Sequence, residues 1–192
     1  MLLEPYQLKA LTLKNRLVMA PMTTYSGNND FTISEEELRY YHERSKTIGM
    51  LITAAVSVND QAQAFSRQIT IKDDHYIPSM KALADTIKAG GAKAVIQLHH
   101  GGRMNDPSLH EDHNNIVSAS NVKAERGNLV TPRALTEEEI YQTIDDFKEA
   151  VVRSIKAGFD GVELHGANTY LLQQFFSPHS NRRDDVFGGS IH

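Results

Sequence analysis

The stretch VELHGANTYLLQQFFSP, Val162 to Pro178, follows a strand-like run with polar side chains and then turns apolar again at once. Its histidine, asparagine and tyrosine are His165, Asn168 and Tyr170. Hydrogen-bonding side chains between a predicted strand and a predicted helix are typical of a site carried by a βα unit. The rest of the chain decides which fold holds that unit.

Three more βα units precede this stretch. The predicted strands are NRLVMAP (15–21), GMLITAAVSV (49–58), AKAVIQLHHGG (92–102) and FDGVELHG (159–166). The predicted helices are SEEELRYYHERSK (34–46), YIPSMKALADTIKAGG (76–91) and TEEEIYQTIDDFKEAVVRSIKAG (136–158). Ser34 with Glu37, and Thr136 with Glu139, have the spacing of capping boxes. In the last helix, apolar residues recur at helical spacing: Ile140, Ile144, Phe147, Val151 and Ile155.

This alternation predicts an α/β fold with parallel strands, because helical crossovers bring successive strands in with the same direction. An open doubly wound sheet and a TIM barrel both fit. The first strand is followed by APMTTYSGN, which lacks the glycine-rich phosphate turn of a dinucleotide fold. Polar groups follow all four strands, where barrel active sites lie. The sequence therefore favours the (β/α) units of a TIM barrel, about the first four, which is a half-barrel.

Two segments interrupt the βα pattern. EPYQLKALTLKN at the start alternates apolar and polar residues around a turn and predicts an N-terminal hairpin that closes the barrel bottom. Residues 103–133 form a long insertion after the third strand, rich in Asn, Asp, Ser and His. Loops of this length are usually functional or disordered. We expect one domain, 1–192, with this insertion as a lid over the site.

Composition excludes several classes of protein. The chain has 192 residues, a net charge of −4 and no cysteine. The negative charge argues against a nucleic-acid partner, and the lack of cysteine excludes disulfides and thiolate metal sites. No apolar run approaches the ~18 residues of a membrane helix, and charges come too early for a signal peptide. We therefore expect no membrane partner and a cytoplasmic location.

Three motifs together resemble the old yellow enzymes, which are FMN-dependent ene-reductases. They are NRLVMAPMTTYSG, IQLHHGGR and VELHGANTYLLQQFFSPHSNRRDDVFGGS. The resemblance covers nearly the whole chain and implies the N-terminal half of an FMN-binding (β/α)8 barrel. It implies FMN as cofactor, NADH or NADPH as reductant, and a small-molecule substrate, an activated alkene or similar acceptor.

The resemblance also implies which residues bind the flavin. These are Ala20, Pro21, Met22, Thr23, Ala55, Gln97 and His165. A Thr23 hydroxyl can donate to the flavin C4 carbonyl, and a Gln97 amide matches the donor and acceptor of the pyrimidine edge. Simpler roles compete: Thr23 as a turn residue bonded to its own backbone, and Gln97 as a glutamine bonded within the core.

The catalytic residues implied by the resemblance are His165, Asn168 and Tyr170. His165 and Asn168 can donate to one substrate oxygen and stabilise an enolate, and the Tyr170 phenol can protonate the α-carbon. Tyr25 is implied as a further substrate contact. The competing roles are a core histidine, an asparagine helix N-cap, a packed tyrosine and a turn tyrosine.

A second hypothesis is a truncated half-barrel without catalysis that acts as a folding or self-association unit. A four-stranded sheet has two open edges and an apolar face that invites pairing, so a homo-oligomer is expected under either hypothesis. Zinc is a further alternative for the histidine-rich stretches HHGGR and LHEDH, but their spacing matches no common zinc site. We therefore expect no metal.

Overall fold

The computed structural model describes residues 1–127 and 130–190, and the secondary structure follows the predicted order. The strands are β1 Tyr6–Gln7, β2 Thr12–Leu13, β3 Val18–Met19, β4 Met50–Ser57, β5 Lys93–His99, β6 Val117–Ser118, β7 Arg133–Ala134 and β8 Gly161–Leu164. The helices are α1 Glu35–Ser45, α2 Ile77–Ala89, α3 Glu137–Lys156 and α4 Leu171–Phe176. Short 3₁₀ turns lie in the connections.

Four strands form one parallel sheet in the order β3-β4-β5-β8. All three strand pairs are parallel, as the βα alternation predicts. Gln97 of β5 is paired in register with Ala55 of β4 and with Glu163 of β8. All four strands therefore end at the same edge of the sheet, and the residues that follow them are brought together.

The core lies between the sheet and the helices α1, α2 and α3. Tyr41 of α1 is fully buried, and its hydroxyl accepts a hydrogen bond of 2.8 Å from the Ala54 N–H of β4. Phe147 packs from α3 into the same core. Ile144 and Ile155, which the helical periodicity groups with Phe147, are 40% and 68% exposed. The apolar face of α3 is thus wider than the part of it that the core buries, and Ile144 and Ile155 lie on the uncovered part.

The helix N-termini differ in how far they follow the predicted capping boxes. At α3 the box is complete, because Thr136 accepts from the Glu139 N–H and the Glu139 side chain accepts in return. At α1 Ser34 accepts from the Glu37 N–H at 3.1 Å. The Glu37 carboxylate instead accepts from the Thr24 hydroxyl. The capping box predicted at Ser34 is therefore wrong in one of its two hydrogen bonds, the one from the Ser34 N–H to the Glu37 side chain.

The predicted N-terminal hairpin is present, with β1 and β2 antiparallel. Lys14 directly after it donates three hydrogen bonds of 2.8 Å to the carbonyl groups of Ser45, Lys46 and Gly90. These carbonyl groups lie at the C-terminal ends of α1 and α2. The lysine charge is favourable at helix C-termini, so the hairpin is held at the end of the sheet opposite the site. That it closes a barrel bottom stays a prediction.

The insertion predicted at 103–133 is held to the rest of the chain at several points. Arg103 Nη1 donates to the Val122 carbonyl at 2.9 Å, and Asn105 Nδ2 donates to the Gln61 carbonyl at 2.7 Å. The parallel pair β6–β7 joins its later part to the segment before α3. Two residues of the insertion, Asn128 and Leu129, lie outside the described residues. Its role as a lid stays a prediction.

Candidate active site

The strand ends of the parallel sheet surround a cavity of about 460 Å³. Eight of the predicted site residues line it, namely Pro21, Met22, Thr23, Ala55, Gln97, His165, Asn168 and Tyr170. A second cavity, of about 430 Å³, lies between α3, α4 and the segment around residue 187. Its lining is mostly apolar and includes none of the predicted site residues. The first cavity is therefore the candidate active site.

Two adjacent threonines follow β3 and behave differently. The Thr24 hydroxyl donates to Glu37, a carboxyl group whose pKa is raised because burial penalises its charged form. The Thr23 side chain lines the cavity and makes no hydrogen bond to any residue in 1–127 or 130–190. The bond to its own backbone, considered above as an alternative, does not form. The Thr23 hydroxyl therefore remains available as a donor at the cavity wall.

Gln97 is 5% exposed and reaches the cavity from β5. Its Nε2 donates to Oε1 of Glu163 on the neighbouring strand at 2.7 Å. This bond satisfies part of the buried amide, as the core-packing alternative requires. The amide still retains its carbonyl oxygen and a second N–H. Ala55, beside Gln97 on β4, adds no side chain beyond Cβ and leaves the floor of the cavity clear.

His165 follows β8 with its ring half-buried at the cavity wall. Its Nδ1 accepts a long hydrogen bond of 3.4 Å from the Ala167 N–H, so in the neutral ring Nε2 carries the proton. Burial lowers the pKa of His165 below 6.5, although the nearby Glu163 acts in the opposite direction. At neutral pH the ring is therefore an uncharged donor through Nε2.

Asn168 and Thr169 form a sharp bend between His165 and α4. Both have left-handed backbone, with φ of 53° and 68°, a region that asparagine enters more easily than most residues. The N-cap of α4 is Tyr170, and no side chain caps it. Asn168 as the helix N-cap, the alternative considered for it, is therefore wrong. Its amide is exposed and is available at the cavity rim.

Tyr170 is half-buried against three other rings. Its ring centroid lies 4.4 Å from that of His99, 4.8 Å from that of His165 and 6.0 Å from that of Phe65. Burial is the main cause that raises the pKa of the Tyr170 phenol, and Tyr25 adds to it. The phenol is therefore protonated at neutral pH and can donate a proton from a fixed direction.

Two predicted residues lie outside the cavity lining, and five lining residues were not predicted, of which Phe65 and Glu163 are the large ring and the charged group. Ala20 is exposed just before the lining segment, and Tyr25 reaches it through Phe65, whose ring is 5.6 Å away. Phe65 and Glu163 themselves line the cavity. Glu163 lies two residues before His165, and residues two apart in a strand point to the same face. This period-two spacing could have predicted that Glu163 also faces the cavity. Phe65 lies in a loop stretch with no comparable signal.

Other kinds of site have little support in the described parts of the chain. Among residues 1–127 and 130–190, no three His, Asp or Glu side chains are grouped so that they could hold a metal ion. Nor does any helix in these ranges have the length and apolar character needed to cross a membrane.

Comparison with known proteins identifies the family of the chain. The model of the NADH:flavin oxidoreductase / NADH oxidase family matches residues 1–192. The chain belongs to this family. Its members bind FMN, and its relatives include NADH-dependent and NADPH-dependent enzymes. The resemblance to the old yellow enzymes, and the FMN and NADH or NADPH that it implies, are confirmed at the level of the family.

Individual relatives of the flavin oxidoreductase family match almost all of the chain. A probable NADH-dependent flavin oxidoreductase, YqiG, of Bacillus subtilis is 50% identical over 98% of the chain and 50% of its own length. The NADH:fumarate oxidoreductase of Klebsiella pneumoniae is 47% identical over 98% of the chain, and the match covers 20% of that longer protein. The chain thus spans half or less of the length of these relatives.

Solved structures of the family confirm the fold. Morphinone reductase superposes with a TM-score of 0.92 at 32% identity, over 98% of this chain and 54% of that protein. Old Yellow Enzyme from Pichia superposes with a TM-score of 0.89 at 33% identity, over 98% and 52%. The predicted α/β half-barrel is confirmed, with about half of a TIM-barrel protein represented.

Proposed function

We propose that this protein is an FMN-dependent NAD(P)H oxidoreductase that transfers hydride, through the flavin, to an activated alkene or similar acceptor. One observation carries the proposal: a single cavity brings together Thr23, Gln97, His165, Asn168 and Tyr170 from the ends of different strands. This is the distribution expected of a barrel active site. Membership of the flavin oxidoreductase family supports the same reaction class.

The residues present fit a flavin ring. The pyrimidine edge offers both hydrogen-bond donors and acceptors, and the Gln97 amide keeps one of each after its bond to Glu163. Thr23 supplies an uncommitted hydroxyl, and Ala55 leaves space for a flat ring to lie close to the sheet. Pro21 and Met22 form an apolar wall beside these polar groups. We assign these residues to FMN binding. Ala20 is assigned with them because it directly precedes the lining residues Pro21, Met22 and Thr23.

When bound at this cavity, FMN would supply the hydride chemistry that links NAD(P)H to the acceptor. The protein must then stabilise the negative charge that develops on the acceptor's carbonyl oxygen. His165 can do so through Nε2–H and Asn168 through its amide N–H. Two fixed donors favour the enolate over the neutral carbonyl, which is the requirement for lowering the barrier.

Tyr170 completes the reduction by delivering a proton to the α-carbon. The raised pKa of its phenol keeps it protonated at neutral pH, and the three surrounding rings hold its direction. General acids of this kind contribute roughly 10²–10⁴-fold to the rate. Tyr25 contacts Phe65 at the cavity edge, and we assign it a contact with the outer part of the substrate.

The acceptor class follows from the donors and from the names of relatives. Donors aimed at an oxygen suit an alkene conjugated to a carbonyl or carboxylate group. Two relatives, 47% and 49% identical to this chain, are named as oxidoreductases of fumarate and of acrylate. We therefore assign an alkene conjugated to an oxygen-bearing group as the acceptor. The half-barrel without catalysis is not favoured, because the relatives are enzymes of one reaction class.

Binding of FMN to the purified chain tests this function. Titration of FMN with protein should quench the flavin fluorescence and shift its absorption. Thr23→Val should weaken binding by about five-fold, which corresponds to the loss of one hydrogen bond of about 1 kcal/mol. Thr47→Val is the matched control, because Thr47 is exposed at the opposite end of the sheet. An absence of flavin binding, or equal effects of the two variants, would contradict the proposal.

A further inference from the structure

His99 lies at the end of β5, beside the candidate site but outside its lining. It is 0% exposed and has no part in the chemistry assigned above. Its ring contacts those of Phe65, His165 and Tyr170, and the Tyr170 ring is the nearest at 4.4 Å. Because His99 contacts both the proposed acid and a proposed donor, the position of its proton affects the charge distribution around them.

Gln68 fixes that protonation through its own hydrogen bonds. Its Oε1 accepts from the backbone N–H groups of Ala64 at 2.9 Å and Phe65 at 3.3 Å. Backbone N–H groups can only donate, so the amide atom that they contact must be the oxygen. The orientation of the Gln68 amide is therefore determined. Its Nε2 must face the other way, and it lies 3.2 Å from both the Ala55 carbonyl and Nδ1 of His99.

The His99 tautomer follows from the orientation of this amide. Because the Gln68 nitrogen is a donor, Nδ1 of His99 must be an acceptor, and the proton of the neutral ring is on Nε2. Burial lowers the pKa of His99 well below 6.5, and His165 and His100 act in the same direction. Nε2 is buried and has no hydrogen-bond partner among residues 1–127 and 130–190.

We propose that His99 is a positioning residue for Tyr170, and that Gln68 sets the tautomer in which it acts. The contact between the two rings is T-shaped, with an interplanar angle of 77°. Such contacts are favourable when a positive ring edge meets the face of another ring. In this tautomer the His99 ring carries Nε2–H on the side away from Gln68, whereas the other tautomer would carry a lone pair there. The tautomer therefore changes the charge distribution of the ring that Tyr170 contacts. This inference rests on the proposed function for what Tyr170 does.

The tautomer can be tested without any flavin. Long-range ¹H–¹⁵N NMR of the ¹⁵N-labelled protein should show His99 protonated on Nε2. Gln68→Glu keeps an acceptor for the Ala64 and Phe65 N–H groups but presents an acceptor to His99, so it should move the proton to Nδ1. Gln61→Glu is the matched control, because the Gln61 side chain contacts Asn115 and not His99. Wild-type protein protonated on Nδ1, or an unchanged tautomer in Gln68→Glu, would overturn the proposal.

The link to Tyr170 has its own readout. In Gln68→Glu the ¹³Cζ resonance of Tyr170 should shift, whereas that of Tyr141, which is exposed on α3, should stay in place. In the flavin-loaded protein, His99→Phe and Gln68→Glu should each slow oxidation of the reduced flavin by an enone roughly ten-fold, since small displacements of a catalytic group are costly. Flavin reduction by NAD(P)H should be unchanged.

The two proposals fail in different ways. If the protein binds no flavin, the proposed function fails, and the NMR results still decide whether Gln68 sets the His99 tautomer. If flavin binds and turns over but the Tyr170 resonance does not respond to Gln68→Glu, the positioning role of His99 is wrong. A His99→Phe variant with wild-type rates in both half-reactions would lead to the same conclusion.

Discussion

His99 and His165 are two histidines at the ends of neighbouring parallel strands, and they differ mainly in access. Each has an accepting Nδ1, held by the Gln68 amide in one case and by the Ala167 N–H in the other. Each is therefore a neutral ring with its proton on Nε2. His99 is fully buried, whereas His165 lines the cavity. Under the roles proposed above, the same side chain in the same tautomer supports the site as His99 and acts in it as His165, and the two differ in exposure.

The backbone that follows each of these strands differs in how closely it is packed. After β5 the chain turns tightly, and the Gly101 N–H donates to the Ala62 carbonyl at 3.0 Å. A Cβ at Gly101 would lie 2.0 Å from Asn105 Oδ1 and 2.6 Å from the Ala64 Cβ, so only glycine fits there. After β8 a Cβ at Gly166 would meet nothing within 4 Å. The turn after His99 is thus tightly packed, whereas the turn after His165 has open space beside it.

The largest expected effect is at His165, the half-buried histidine that lines the cavity. In flavin-loaded protein, His165→Ala should slow enone reduction by roughly 10²–10³-fold, the usual loss for one donor to a developing oxyanion. Phenolates, which resemble the enolate, should bind more weakly, and their charge-transfer absorption should decrease. His75→Ala is the control, since His75 is exposed near the start of α2. Unchanged phenolate affinity would remove His165 from the oxyanion role and break its contrast with His99.

A smaller effect is expected at Tyr170, which both histidine rings contact. Tyr170→Phe should slow oxidation of the reduced flavin by an enone roughly 10²-fold, because a positioned acid is lost. Flavin reduction by NAD(P)H should stay nearly the same, since it needs no proton from that side. The ring is retained, so no large cavity forms. Stopped-flow measurement of the two half-reactions decides the matter, and equal slowing of both would reduce Tyr170 to a packing residue.

The features that could be predicted from the sequence are those that depend on local sequence patterns. Alternating βα signals were enough for the parallel order of β3, β4, β5 and β8, and the polar residues after those strands did meet at one cavity. The box at Thr136 formed because the Glu139 carboxylate accepts from the Thr136 N–H and from Arg133 at the same time. At Ser34 the same local motif was overridden, because Thr24 is close enough in space to bind the Glu37 side chain.

The parts that were missed depend on contacts between distant segments. Gln68 and His99 are 31 residues apart, and Gln97 and Glu163 are 66 apart. Neither pair has a spacing that a single sequence could reveal. Phe65 lies in an irregular connection after β4, where no periodicity gives its direction. The polar and aromatic residues around the candidate site therefore could not be predicted without the fold, although several of the side chains to which we assign a reaction role could be.

The smallest effect extends the comparison to a third histidine, His100, which is buried next to His99. Burial is the main cause that lowers the pKa of His100 from 6.5 to about 3, and His110 adds to it. The folded protein keeps this ring neutral, whereas the unfolded chain binds a proton once the pH falls below about 6.5. The free energy of unfolding should therefore fall as the pH drops from about 6.5 towards 3, and this contribution is fully present only above that range.

His100→Asn isolates the contribution of this ring to acid stability. The asparagine oxygen can replace Nδ1 as acceptor for the Gly102 N–H, which His100 binds at 3.1 Å. The variant should be less stable than wild type at pH 7, because it loses packing. Between pH 6 and 4, however, its unfolding free energy should fall less steeply, by about 1.4 kcal/mol per pH unit. Urea unfolding at several pH values measures this slope, with exposed His75→Asn as control. Parallel slopes for wild type and His100→Asn would mean that buried histidines at the end of β5 are not kept neutral, and the contrast with His165 would then rest on exposure alone.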